Sequence, residues 1–407
     1  MFASSNISKT KEDGHRLNII FTGFPYPKGM AGTKRCEHAI RALREYKDIS
    51  IRVLIGRQIS CLNPFEGDFD GVPFKSVTSS VARGQFLLKY PVYFVKSVFM
   101  LRKYSAINNL NQNILYVYGS PSIENLPMIL TAMFSGYKII FDVVEDEYSG
   151  FKVSWSWWQK INNLISRFLI RAILPRADGI ITLNGQLEKK ISFLTKGVIP
   201  ILQRPISIDT ALFTDKMEGN NHTTDILYSG SFAATDGVEN LIQSFESIAE
   251  INKRVRLLLT GRGDKTRIES ILDKIKRSDY GDRILYLGYL DEMQYYDTLK
   301  KADILCCPRI DTVYAHMGFP FKLGEFLASG KPVVVSRTGD VELFLENKHS
   351  AIIIQAGNVE ALTDGISYLI ENPDAAKRIG ANGRKIALTY FDYRKHGGKL
   401  LSFMRSV

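Results

Sequence analysis

Between Gly318 and Glu325 the chain reads Gly-Phe-Pro-Phe-Lys-Leu-Gly-Glu, which sets a cation and an anion three residues apart. The spacing predicts a short helix from about Phe321 to Ser329, with Lys322 and Glu325 on one face. The backbone N–H groups of Gly318, Phe319 and Phe321, beside the ring of Pro320, open that helix and make an anion site; Lys322 adds a full positive charge. One turn in, the carboxylate of Glu325 has the geometry to accept two hydrogen bonds from a vicinal diol such as a ribose. Phosphate beside ribose is the chemistry of a nucleotide.

The elements that must hold these groups follow directly. Gly330 stops the helix, Pro332 breaks it, and Pro332–Val335 is a β-branched run suited to a buried strand. As a whole, GFPFKLGEFLASGKPVVVS resembles the donor-binding segment of the family 4 glycosyltransferases, retaining enzymes of the GT-B fold. The resemblance implies an α/β chain of two Rossmann-like parallel-sheet domains facing across a cleft. It also implies a nucleotide-diphosphate sugar donor, no metal, and no cofactor beyond that donor.

Carried over residue by residue, the resemblance places further donor groups at strand ends of the second domain. Gly230 and Ser231 open one loop, but Ser231 and Asp236 stand where relatives usually have an Arg and a Lys on the pyrophosphate. Lys322 is expected to take over, with Arg262 or Arg309 in support, and Lys322 is counted with the catalytic groups. Tyr289 and Leu290 fall on the turn that holds the base. Met317 replaces the first of the family's two glutamates, eight residues before Glu325, with Asp311 or His316 as candidate substitutes. In the first domain the loop ending at Gly32 is expected across the cleft from the donor. Val144 takes the place of the usual acceptor-side His, leaving Glu145 and Asp146 as candidate groups to orient or deprotonate an acceptor hydroxyl. Replacing Glu325 by Ala is expected to abolish transfer without unfolding the protein.

The chain has 407 residues, 45% of them hydrophobic, enough for more than one core. Its net charge of +11 lies wholly in residues 1–200, which carry 26 Lys and Arg against 15 Asp and Glu. Such a half is expected to face something anionic, a membrane surface, a lipid pyrophosphate or an acidic glycan, and no nucleic-acid motif accompanies it. Cys36, Cys61, Cys306 and Cys307 have neither metal nor disulfide spacing, which fits a reducing compartment. Asp68-Phe69-Asp70 has the form of a metal-binding Asp-x-Asp but lacks a preceding apolar strand, so it is read as a solvated turn.

Taken in order, residues 1–15 are expected to be disordered and 16–203 to form an acceptor-binding Rossmann-like domain. A linker follows at 204–224, then a nucleotide-sugar domain at 225–388, then a helix at 389–407 returning to the first domain. Two basic stretches carry aromatic residues, 85–104 and 154–174. The second is a helix headed by Trp155, Trp157 and Trp158, with Lys160, Arg167 and Arg171 on its polar side. Such a pattern suits peripheral contact with a membrane as well as packing on the sheet.

The expected function is sugar transfer to a hydroxyl of a lipid-linked glycan, in surface polysaccharide or lipopolysaccharide assembly. The expected location is the cytoplasm, at the inner face of the membrane. Two rivals remain: a degenerate GT-B subunit that binds a partner transferase or the membrane, and a sugar-nucleotide epimerase. Ser231, Asp236, Met317 and Val144 favour the first, while no acid/base cluster around Met317 supports the second.

Overall fold

The computed structural model describes residues 16–57, 63–78, 88–106, 112–145, 157–213 and 223–407. The first domain runs β1 (Leu17–Thr22), α1 (Ala31–Arg44), β2 (Ile49–Arg57), β3 (Glu66–Phe69), β4 (Val72–Thr78) and α2 (Tyr90–Ala106). It continues with β5 (Gln112–Tyr118), α3 (Leu126–Phe134), β6 (Lys138–Val143), α4 (Trp157–Ile173), β7 (Gly179–Thr182), α5 (Gly185–Leu194) and β8 (Ile201–Gln203). Its eight strands lie in the order β3-β4-β2-β1-β5-β6-β7-β8. All neighbours are parallel except the β3–β4 hairpin, whose turn holds Asp70 and Gly71. Asp68 and Phe69 end β3 and only Asp70 lies in the turn, where Asp68 accepts the amide of Gly71 at 2.8 Å, so the Asp-x-Asp straddles a hairpin rather than lying wholly in a loop.

The apolar runs of β1, β5 and β6 are buried on both faces because helices cover both. Leu101, Ile129, Ile170 and Leu187 pack on one face. On the other, Cys36, Ile40 and Leu43 of α1 meet Leu400, Leu401 and Met404. Those last three belong to the C-terminal helix at Gly397–Ser406, which therefore closes the core of the first domain.

The second domain runs β9 (Thr224–Gly230), α6 (Val238–Ile251), β10 (Val255–Gly261), α7 (Lys265–Arg277), β11 (Ile284–Gly288), α8 (Glu292–Lys301) and β12 (Ile304–Cys307). Then come α9 (Val313–Met317), α10 (Phe321–Ala328), β13 (Val333–Ser336), α11 (Val341–Phe344), β14 (Ile352–Ile354), α12 (Val359–Glu371), α13 (Pro373–Ile386) and α14, the helix at 397–406. The sheet order is β11-β10-β9-β12-β13-β14, parallel throughout. β8 lies just ahead of the stretch that reads as linker. Three residues are too few to show a period, and only pairing with β7 makes them a strand.

A buried ionic knot ties the connection to the first domain. Asp142, wholly buried at the end of β6, receives Arg35 at 2.9 Å, Arg204 at 2.8 Å and the hydroxyl of Tyr116. Arg35 also donates to the carbonyls of Arg204 and Pro205, both at 2.9 Å. Burial alone would raise the carboxyl pKa of Asp142, but the two guanidinium groups outweigh it and hold the pKa low.

Candidate active site at the domain cleft

The C-terminal ends of both sheets meet at a cleft with a cavity of about 110 Å³. The first domain lines it with Ala31, Arg35, Tyr118, Val144 and Glu145; the second with Arg309, Tyr314, Met317, Gly318, Phe319 and Phe321. Open parallel sheets bind ligands at this edge, where loops end and helices begin.

Gly32 opens α1 at this edge. A Cβ there would fall 2.6 Å from the ring of Tyr118, so only glycine lets the helix start lie against β5. Glu145 follows β6 into the cleft and forms a side-chain hydrogen bond with Tyr314, whose phenol pKa is raised by burial and then by that carboxylate. Asp146 lies outside the described residues.

Opposite stands the loop and helix start that the sequence reading offers to an anion. Pro320 is the N-cap of α10 and gives no side-chain cap; its carbonyl takes the amide of Leu323 at 3.0 Å, which leaves the amides of Phe321 and Lys322 at the helix opening. Arg309 sits beside them, its Nη1 3.5 Å from where a Gly318 Cβ would be. Its hydrogen bond to the Ala315 carbonyl is long, at 3.4 Å.

Lys322 and Glu325 share a helix face as their spacing predicts, and both enter a cluster that the sequence does not show. Glu325 is 3% exposed. Its oxygens take the hydroxyls of Tyr295 at 2.8 Å and Tyr296 at 3.3 Å, with the ammoniums of Lys322 at 3.3 Å and Lys34 at 3.6 Å. Lys322 also lies 3.8 Å over the Tyr295 ring. A buried carboxylate draws in cations and donors, and Lys322 meets it while its own side chain stays 37% exposed. Burial works to raise the Glu325 pKa, but Lys322, Lys34 and Tyr295 outweigh it and hold it below the usual value.

Lys34 reaches Glu325 from α1 and also pairs with Glu292 at 3.2 Å, so it bridges the two domains. Sequence reading missed Lys34, Tyr295, Tyr296 and Tyr314. The only signals were a lysine two residues after Gly32 and a Tyr-Tyr pair on a helix.

The loop after β9 supplies no cation. Asp236 accepts from Ser231 at 2.7 Å, Tyr228 at 3.0 Å and the Ala233 amide at 3.2 Å, so it braces its own loop. Gly230 packs on Tyr228, where a Cβ would fall 2.1 Å from the hydroxyl. Arg262 stacks on the exposed ring of Tyr289 at 4.1 Å, next to Leu290, on the turn expected to take a base. His316 and Asp311, the candidate substitutes for a second glutamate, pair with each other at 2.8 Å. Met317 instead gives its carbonyl to Asn184 across the interface at 2.8 Å.

Two parallel-sheet domains, joined at a cleft by strand-end loops and with a C-terminal helix crossing back, define a GT-B protein. Residues 213–386 match the family model for glycosyl transferases group 1. Among relatives, the chain is 27% identical over 154 residues to a phosphatidyl-myo-inositol mannosyltransferase of Mycobacterium leprae, covering 38% of this chain and 39% of that one. It is 25% identical over 196 residues to an MMP alpha-(1->4)-mannosyltransferase of Mycolicibacterium hassiacum, covering 47% and 44%. These matches therefore span less than half the length of either relative.

Solved structures cover far more. Sucrose-phosphate synthase from Thermosynechococcus elongatus superposes with a TM-score of 0.75 at 16% identity, over 96% of this chain and 99% of that one. Anabaena HepE, solved with UDP and glucose, gives 0.71 at 15% identity, over 96% and 99%.

Proposed function

We propose that this chain moves a sugar from a nucleotide-diphosphate sugar to a hydroxyl acceptor. One observation carries the reading: Arg309 and the opening of α10 face Glu145 across a single cleft. Arg309 and the helix amides would receive the diphosphate. As the bond between anomeric carbon and phosphate oxygen breaks, its electron pair leaves with the diphosphate, where preorganised positive charge lowers the barrier. The acceptor oxygen forms the new bond and gives its proton to Glu145. Retention at the anomeric carbon belongs to the reading through the family resemblance.

A lipid-linked acceptor in surface polysaccharide assembly is supported by one relative's name, which includes phosphatidyl-myo-inositol. It is supported too by α2 and α4, which carry Lys96, Arg102, Lys103, Lys160, Arg167 and Arg171, no acid, and exposed Val95, Phe99, Leu164 and Phe168. No helix among the described residues is long and apolar enough to cross a membrane. Contact of these helices with the inner face of a membrane is therefore peripheral in this reading.

The test is a thermal-shift titration with UDP, GDP, ADP and CMP on wild type and Arg309→Gln. A nucleoside diphosphate at 100 times its Kd stabilises by about 2.7 kcal/mol. One of the diphosphates should raise the melting temperature of the wild type and lose that effect in the variant, with the unliganded melting point nearly unchanged. No shift with any nucleotide would favour the degenerate subunit instead.

A further inference from the structure

A second cavity, about 220 Å³, opens on the first domain alone, at the C-terminal ends of β1, β2 and β5. Tyr118 lines both this cavity and the cleft, so one aromatic ring divides them. The ring is fixed from one side by Gly32, and Phe24 meets it edge-on at 6.3 Å.

The lining has a definite chemistry. Arg57 and Glu124 form an ion pair at 3.0 Å, with side chains 11% and 37% exposed. Ser120 and Ser122 lie beside them. Asn125 shapes their loop, accepting the Ser122 amide at 2.7 Å and donating to the Ser120 carbonyl at 3.1 Å. The wall therefore offers donors and acceptors while its charges cancel. An anion drawn to Arg57 would meet the Glu124 carboxylate next to it. A neutral ring with several hydroxyls would satisfy both, and its apolar face would lie on Phe24 and Tyr118. The volume lies below the roughly 300–1,000 Å³ of sites for drug-sized ligands, which suits a single ring.

We propose that this cavity is the subsite for an uncharged sugar ring of the acceptor, with Arg57 and Glu124 reading its hydroxyls and Tyr118 steering the reacting hydroxyl into the cleft beside Glu145. The inference rests on the transferase reading above and adds to it where the acceptor binds and what charge it carries there. It also assigns different partners to two parts of the basic half: the anionic surface belongs to α2 and α4, the neutral ring to this cavity.

The experiment is a thermal-shift panel run with a saturating nucleoside diphosphate. The probes are the methyl glycosides of glucose, galactose, mannose and N-acetylglucosamine, with glucuronate and glucose 6-phosphate as anionic counterparts. At least one neutral glycoside should raise the melting temperature beyond the nucleotide's own effect, and the anionic compounds should raise it less. Glu124→Gln and the cavity-filling Ser122→Phe should each remove the glycoside increment and keep the nucleotide increment, which reports that the variants are folded. The inference is overturned by an increment that survives in both variants, by one from the anionic compounds alone, or by none while the nucleotide still stabilises. Absence of the nucleotide effect in wild type would remove the transferase reading itself.

Discussion

Replacing Glu325 separates two views of that residue. If it only met a ribose, Glu325→Ala would cost binding and leave the fold untouched. The structure implies a different outcome. The carboxylate is 3% exposed and takes hydrogen bonds from two tyrosines, with two lysines beside it. Removing one partner of a buried ionic cluster costs about 3–5 kcal/mol. In a domain of this size each kcal/mol shifts the melting temperature by about 2–4 °C, so the unliganded variant should melt about 6–20 °C lower. Glu325→Gln keeps the shape and one acceptor for Tyr295, and it should cost about 1–3 kcal/mol. The assay is calorimetry of wild type and both variants without ligand. A Glu325→Ala variant melting within about 2 °C of wild type would refute the argument from burial. The same change tests the pH dependence. Because the folded pKa of Glu325 is held low, its contribution is present above the unfolded value of 4.5 and is lost as pH falls below it.

Three other outcomes are expected. Asp142→Asn should destabilise by about 3–5 kcal/mol, because Arg35 and Arg204 stay buried without their counter-charge; urea unfolding with a loss under about 1 kcal/mol would contradict this. His38 is buried against the Ser207 carbonyl at 2.8 Å, and burial pushes its pKa down from 6.5 to about 4. Its share of stability is therefore whole above pH 6.5 and falls by about 2 kcal/mol at pH 5, so His38→Gln should flatten the melting profile between pH 7 and 5; an unchanged slope would count against it. Finally, the chain should co-sediment with anionic vesicles more than with zwitterionic ones, and Phe99→Ser with Phe168→Ser should weaken this; equal binding to both vesicle types would exclude charge-guided contact at α2 and α4.

Much of this fold is legible in the chain because local patterns suffice for it. Strands such as Ile304–Cys307 and helices such as Val238–Ile251, Lys265–Arg277 and Val359–Glu371 follow from apolar runs, period and caps alone. The opening of α10 was equally local: a glycine-proline loop running into a helix is set by residue types a few positions apart. The edge strand β8 escaped, since three residues carry no period and only β7 makes them a strand.

The sequence by itself determined the two-domain α/β architecture, the loop-helix segment at 318–329 and the charge imbalance of the first half. It could not decide what Lys322 and Glu325 face. Spacing puts them on one side of a helix, but the partners come from α8, about 30 residues earlier in the chain, and from Lys34 in the other domain. The same holds for Glu145, which meets Tyr314 only when the cleft forms. Nor could it show that Arg35, Asp142 and Arg204, far apart in the chain, form one buried knot. Hydrogen bonds and ion pairs act over a few ångströms, and which groups come within that range across two domains is settled by how the sheets pack, not by order along the chain.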